Sequence, residues 1–440
     1  MQDFDANTPT SAHELAVDCL RTGVEAVLPE RVVRESVSLD GNVFAVADTR
    51  YDLSAYDRIL VVGGGKASDG VADALEEILG DRIDAGVVVT PNPGDGNRIE
   101  RLPGDHPVPS ERGVESTRRL VELLSGLDER TLVLAAITGG ASALLPAPAD
   151  GISLSDLRTT TDELLESGAE IHELNAVRKH LSTLKGGSLV RLASPATVVG
   201  LVLSDVVGND LGVIASGPTA PDETYYDDAL DVVDRFELDV PKSVRTRLAR
   251  GSAGEIPETP KPGDPIFERV DNHILADTFT ALDAAREVAE ARGYDPLILS
   301  SRVRGEAREA AKTHVAVAAE ALATGNPLDA PAVVLSGGEC TVTVRGDGSG
   351  GPNLEFCLAA SPELPDGVVL ASIDSDGFDG GTDVAGAIVD SASVTHRDAN
   401  KALATNDALP ALAAADAVIE TGPTGTNVND IRVLVVDPSA

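Results

Sequence analysis

Residues Arg58 to Leu79 read as a strand, a glycine turn and a helix in direct succession. No other stretch constrains the fold as strongly. Arg58-Ile59-Leu60-Val61-Val62 is a short run of branched apolar residues, as expected of a strand buried on both faces of a parallel sheet. Gly63, Gly64, Gly65 and Lys66 follow, and Ser68-Asp69 is placed to cap a helix running to Leu79. Such a turn points backbone N–H groups and a helix N-terminus at an anion, and Lys66 adds a full positive charge. The spacing is not that of a Walker A loop, because Ala67 follows the lysine. Nor is it a dinucleotide fingerprint, because position 68 is Ser rather than Gly or Ala. For this stretch alone, a tight turn with a solvated lysine is the plain alternative.

The pattern recurs. Gly86 to Thr90 reads as a strand, and Thr131 to Ile137 as another that ends in Thr138-Gly139-Gly140-Ala141-Ser142. Thr197 to Leu203 is a third, ending in Ser204-Asp205. Helical spacing covers Ser11–Leu28, Ser110–Leu124 with Ser110 as cap, and Ala169–Arg191 with Gly186-Gly187 interrupting it. Alternating strands and helices predict a layered α/β domain with a mostly parallel sheet. Gly251 to Pro265 is dense in Pro and Gly and is the best linker candidate. Beyond it, Ala332-Val333-Val334-Leu335 reads as a strand entering Gly337-Gly338-Glu339, Thr341 to Arg345 as a half-exposed strand, and Val368–Ile373 and Arg432–Val436 as buried strands. The expectation is two α/β domains: residues 1–258, Rossmann-like, and residues 259–440, smaller and mixed. The final strand is left open to returning to the first sheet.

Composition narrows the surroundings. With 72 acidic and 35 basic residues the net charge is −37, which repels nucleic acid and anionic membranes. The 42% of hydrophobic residues fall in strand-like and helix-like blocks and argue against disorder. The acidity reads as a solvated surface suited to high salt, as in a halophile. Three scattered cysteines suggest free thiols in a reducing compartment, and the N-terminal residues lack a signal-peptide pattern, so a cytoplasmic location is expected. In so acidic a chain, Lys66, Lys179 and Lys185, three of the seven lysines, fall beside glycines in two stretches and make a candidate anion site.

Strand ends gather the residues with chemistry: Lys66, Ser142, Asp205, Glu339, Asp374 and Asp376. Glycines, small hydroxyls, a lysine and carboxylates at the carboxyl ends of strands suit a phosphorylated ligand with a metal ion. In Glu173 to Leu189, Arg178, Ser182 and Lys185 are spaced i, i+4 and i+7 and would share one helical face as an anion clamp; a face paired with surface carboxylates is the alternative. His180 reads as structural. Asp205 is placed to accept a hydroxyl proton or hold a metal, and Asp210 to serve a loop. Ser372 to Asp383 fails the EF-hand pattern and reads as an Asp-rich turn. Thr421 to Asp430 is either a phosphate nest or a plain loop.

In order, GGGKAS, GDHPVPS, TGGASALLPAP, ELNAVRKHLSTLKGG, LSDVVGNDLGVIASGPT, LSGGECTVTVRGDGSGGPN and TGPTGTNVND resemble the glycerate 2-kinase family with a C-terminal MOFRL domain, over roughly Ser11 to Val436. The resemblance implies ATP- and Mg²⁺-dependent phosphorylation of D-glycerate at its C2 hydroxyl, in a cleft between two α/β domains. Partners would be these small molecules, with no nucleic acid or membrane; a homodimer is left open. Lys66 matches the family's active-site lysine, Arg178 and Lys185 its basic positions, and Asp205 the Asp of its SDVxGD motif. On this reading Lys66, Arg178 and Asp205 are catalytic. Gly64, Gly65, Gly139, Gly140, Ser142, Lys185, Gly337, Gly338, Glu339, Asn353, Thr424, Gly425, Thr426 and Asn427 bind substrate or phosphate, and Asp205 with Asn209 holds Mg²⁺. Two departures stand out. Pro352 replaces an arginine the family uses, which leaves Arg345 and Arg178 as compensating cations, and Asn209 stands where Asp is common. Three alternatives remain: a kinase for another small hydroxy acid, a non-catalytic phosphometabolite-binding protein, and an NAD(P)H-dependent hydroxypyruvate reductase, whose dinucleotide fingerprint is absent.

Overall fold

The computed structural model describes residues 4–439. The chain divides into two compact units: Val32–Leu275, and a second made from residues up to Arg31 together with those from Ala276 onward.

The inner unit opens with a small antiparallel sheet of β1 (Val37–Asp40), β2 (Val43–Val46) and β3 (Thr49–Asp52). Its main sheet holds β4 (Arg58–Gly64), β5 (Ala85–Thr90), β6 (Ile99–Pro103), β7 (Thr131–Ile137), β8 (Thr197–Leu203) and β9 (Val270–Ala276) in the order β6-β5-β4-β7-β8-β9. Strands β4 to β8 pair in parallel. Every residue of β7 and β8 is buried, which is why these stretches are continuous apolar runs. Helices Ser68–Leu79 and Glu111–Leu123 pack on β5, the second capped by Ser110 Oγ as expected. Four further helices (Leu154–Glu166, Ile171–His180, Tyr226–Arg235 and Lys242–Ser252) build a separate core around Tyr226, Leu164, Val177 and Leu248. Chain order runs β4-β5-β6 one way and β7-β8-β9 the other. The topological switch point, where such sheets bind ligands, therefore lies between the carboxyl ends of β4 and β7.

The second sheet holds β10 (Asp295–Glu306), β11 (Ala332–Thr341), β12 (Val368–Asp374), β13 (Gly386–Val389), β14 (Val418–Ile419) and β15 (Asp430–Val436), in the order β10-β11-β15-β12-β13-β14. Only the β10–β11 pair is parallel; β15 runs antiparallel to both neighbours. Helix Ser11–Ala26 packs on β15, β12 and helix Thr278–Ala291. Helix Pro352–Ala360 is buried from Asn353 onward.

Three expectations are corrected. The boundary is not after residue 258. Thr259 Oγ1 donates to Asp222 Oδ2 at 2.8 Å and β9 joins β8, so the Pro/Gly-rich stretch is tied into the inner unit. The final strand does not return to the first sheet; instead the first helix joins the second unit. Gly337 and Gly338 are not a strand-end turn but lie inside β11, which continues to Thr341 and stops short of Arg345. A Cβ on Gly338 would lie 2.3 Å from the Val303 carbonyl oxygen, and one on Gly337 2.3 Å from Thr278 Cγ2. Both glycines serve close packing of the strand.

Candidate active site

The Lys66 turn is locked rather than open. Gly65 N–H donates to the Val89 carbonyl at 3.0 Å and Lys66 N–H to the Gly139 carbonyl at 2.8 Å. Ala67 N–H donates to Thr138 Oγ1 at 3.2 Å and Ser68 N–H to the Gly65 carbonyl at 3.3 Å. Ala67, not Ser68, is the helix N-cap, and the Ser68 hydroxyl turns back to the Gly65 carbonyl. The expected anion nest at Gly64 and Gly65 is thereby corrected, since its donors are already used. Gly65 is glycine because its φ is +134° and a Cβ would lie 2.0 Å from Thr138 Oγ1. These bonds splice the ends of β4 and β7 at the switch point.

The Gly139–Gly140 turn at the end of β7 brings the other groups together. A Cβ on Gly139 would lie 2.4 Å from Asp205 Oδ2, and one on Gly140 3.3 Å from Lys66 Cγ and 3.0 Å from His106 Cδ2. Lys66, Asp205 and His106 thus surround two consecutive glycines. Among the described residues, the N–H groups of Gly139 and Gly140 take no partner.

Two residues on, Ser142 begins a second cluster. Its hydroxyl meets Ser216 Oγ at 2.7 Å, and Ser216 donates to Asn175 Oδ1 at 2.9 Å. Ser216 and Ala215 both have positive φ, 61° and 53°, an unusual conformation for side-chain-bearing residues. Lys185 Nζ donates to the Ser142 carbonyl at 2.8 Å. Ser142, Ser182, Lys185 and Arg178 line one pocket with Pro109 and Thr160. They do so for a different reason than expected. The helix ends at His180, and Gly186 and Gly187 adopt φ of 55° and 76°, so Ser182 and Lys185 reach the pocket from turns. Burial lowers the affinity of both cations for their proton, and the Arg178 charge pushes Lys185 further down, well below the ordinary lysine range. Among the described residues neither has a carboxylate partner. The site thus pairs a half-buried guanidinium with a buried amine in a chain of charge −37.

Other candidates fall outside this site. Lys179 pairs with fully buried Asp222 at 3.1 Å, a structural tie. His180 spends its ring nitrogens on the Ala176 carbonyl and Glu258, as its structural reading implied. Asp210 Oδ1 accepts from Gly212 N–H within its own loop. Asn209, at φ 59°, turns the chain four residues beyond Asp205.

In the second unit, Asn353 is fully buried and its amide bonds Asp379, Asp430 and Ser372, so it braces the fold and is not open to substrate. Asp379 accepts from the Asn353 and Leu354 N–H groups and caps the helix that Pro352 begins, where a missing N–H costs nothing. Burial raises the Asp379 carboxyl to about 7 against the pull of those donors. Thr424 and Thr426 are buried and donate to the Ser375 and Val27 carbonyls. Gly425 (φ 82°) is exposed, and Asn427 Oδ1 accepts from Asn429 N–H. Glu339 is exposed on β11 beside Arg304, and Arg345 is exposed. Asp374 and Asp376 accept backbone N–H groups in the turn after β12.

Motif reading had not assigned His106, Asn175 or Ser216, although all three lie in quoted motifs. Their signal is that each sits beside a glycine, lysine or hydroxyl that was singled out. Among the described residues, no group of three or more His, Cys, Asp or Glu side chains could hold a metal, and no helix is long and apolar enough to cross a membrane.

Residues 15–249 match the family model for a domain of unknown function, DUF4147, and residues 332–430 match the MOFRL family. The chain is 38% identical to the D-glycerate 2-kinase of Thermotoga maritima over 97% of its own length and 98% of that protein's. It is 41% identical to a putative hydroxypyruvate reductase of Agrobacterium vitis over 86% of its length and 99% of the relative's. The crystal structure of the Thermotoga maritima glycerate kinase superposes with a TM-score of 0.83 at 37% identity, covering 96% of this chain and 99% of that one. With a DUF4147 domain, a MOFRL domain and relatives matched over nearly their whole length, this chain belongs to the glycerate 2-kinase family.

Proposed function

We propose that the chain transfers the terminal phosphate of ATP to the C2 hydroxyl of D-glycerate, giving 2-phosphoglycerate and ADP. The observation that carries this reading is the cation pair Arg178 and Lys185, which lines one pocket with Ser142, two residues along the chain from the Gly139–Gly140 turn that Lys66 and Asp205 flank. Phosphoryl transfer asks a protein mainly for positioning and charge stabilisation. Lys66 and Lys185 neutralise phosphate oxygens, Arg178 holds the glycerate carboxylate or the group in transfer, and Asp205 orients the acceptor hydroxyl and takes its proton or ligates the metal. The N–H groups of Gly139 and Gly140 face the same charge.

Mg²⁺ fits this donor set as an ion carried largely by the nucleotide's phosphates. Such an ion keeps most of its waters and needs only one or two protein oxygens, which Asp205 and Asn209 would supply. When bound, it neutralises charge on the phosphates.

Phosphorus NMR of the product formed from ATP, Mg²⁺ and D-glycerate tests the reading. Wild type is expected to give 2-phosphoglycerate, and Lys66→Ala to be slower by about 10²–10³-fold. No phosphorylated product from wild type, in low or high salt, would overturn it, and a panel of other hydroxy acids comes next. The name of the Agrobacterium vitis relative supports a reductase as the second reading. That reading meets the closed Lys66 turn, whose N–H groups are already bonded, and hydroxypyruvate-dependent oxidation of NADH or NADPH checks it.

A further inference from the structure

His106 has no role in the mechanism above, although it lies in the Gly104–Ser110 motif. Its ring stands over the Gly140 turn: a Cβ on Gly140 would lie 3.0 Å from His106 Cδ2, 3.4 Å from His106 Nε2 and 3.3 Å from Lys66 Cγ. The imidazole therefore shares the space over Gly140 with Lys66, while Asp205 lies against Gly139. The loop carrying it is braced on both sides. Arg112 binds both oxygens of Asp105, and Arg158 Nε donates to the Pro109 carbonyl at 2.6 Å. The Arg112 and Ser110 hydrogen bonds hold the Asp105 carboxyl down to about 2, so this brace is intact throughout the neutral range. His106 is exposed, whereas His180 and His314 are buried. A braced imidazole beside a lysine, at the switch point of a parallel sheet, is built to meet a ligand oxygen.

We propose that His106 is a catalytic residue that donates a hydrogen bond from Nε2 to the terminal phosphate of ATP, alongside Lys66. The assignment rests on the kinase reading. In the step it serves, the bond from the terminal phosphorus to the bridging oxygen of ADP breaks and the bond to the acceptor hydroxyl oxygen forms. The hydroxyl proton leaves to Asp205 or solvent. His106 keeps its own proton and stabilises charge on the phosphoryl oxygens, which a fixed N–H donor does without further reorganisation.

Two variants separate contact from scaffolding. His106→Phe keeps a ring and removes the donor, while His106→Gln restores an N–H near the position of Nε2. The full chain is assayed for kcat with ATP and D-glycerate, and titrated calorimetrically with ADP and with a non-hydrolysable ATP analogue. His106→Phe is expected to lower kcat by about 10²-fold, with the KM for glycerate changed less than about threefold. It should weaken the ATP analogue by about tenfold and leave ADP affinity unchanged, which also shows that the variant is folded. His106→Gln should recover at least about a tenth of wild-type kcat. Equal analogue affinity in wild type and His106→Phe overturns the proposal, as does equal loss in Phe and Gln. If wild type phosphorylates nothing, the kinase reading fails, and the ADP-against-analogue comparison still decides the phosphate contact.

Discussion

Lys185 sits where its own charge is costly, because it is buried with its amine on the Ser142 carbonyl and the Arg178 guanidinium opposes its charge. On the proposed reading, a bound anion would offset that cost. Lys185→Met, which keeps the stem and removes the charge, is therefore expected to stabilise the unliganded chain by about 1–3 kcal/mol and raise its Tm. Activity should fall by at least about 10²-fold. Thermal unfolding and steady-state rates on the same preparation check both halves; a Tm drop would mean that Lys185 is a structural cation. At this scale the sequence was legible in residue type more than in geometry. Arg178, Ser182 and Lys185 do line one pocket, but helical spacing was the wrong reason, because the helix ends at His180, before Ser182 and Lys185. The glycines before Lys66 looked like an open anion loop. What closes them is Thr138, 71 residues on from Ala67, and periodicity carries no information about partners so distant in sequence.

Among the elements, helix Ala307–Thr324 is fastened to β11 by His314, whose Nδ1 meets the Ala310 carbonyl at 2.9 Å and whose Nε2 meets Ser336 Oγ at 2.7 Å. A carbonyl only accepts, so Nδ1 carries the proton and Nε2 accepts from the serine. Burial pulls the ring down to about 4 from an ordinary 6.5. Between those values the unfolded chain binds a proton that the folded one refuses, so this contribution to stability is complete above about 6.5 and is lost as pH falls towards 4. Relative to His314→Gln, wild type should lose on the order of 3 kcal/mol of stability advantage across that window. Urea unfolding of both proteins at a series of pH values measures it, and a constant difference would refute it. Strands β4, β7 and β8 were legible because each is a buried apolar run between turn signals. Strand β11 was cut short because Gly337-Gly338 punctuates the sequence as a turn does. Only the neighbouring Val303 backbone and Thr278 side chain explain why glycines sit within a strand.

On the scale of the whole molecule, a net charge of −37 repels itself, and every exposed acidic stretch adds to that. Salt screens such repulsion over a Debye length that shrinks from about 10 Å at 0.1 M to about 3 Å at 1 M. Raising sodium chloride from about 0.1 to 2 M should accordingly raise Tm by several degrees, about 1–2 kcal/mol or more in stability. A Tm that is flat or falls with salt would show that the acidic surface is already balanced by local arginine pairs. That the chain forms two α/β units was legible from the alternation of strands and helices; where they divide was not. The Pro/Gly-rich stretch looks like a linker, and the hydrogen bond from Thr259 to Asp222 makes it part of a wall.

The placing of β15 between β11 and β12, with helix Ser11–Ala26 packed on it, also imposes an order on biosynthesis. That helix finds its full seat only when a strand made more than 400 residues later has left the ribosome, although helix Thr278–Ala291 and β12 emerge earlier. The inner unit, Val32–Leu275, is contiguous and is free to fold while that helix waits. An apolar helix face held in reserve for so long is a natural client for a chaperone. Nascent chains stalled before Asp430 should hold a protease-resistant inner unit flanked by digestible ends.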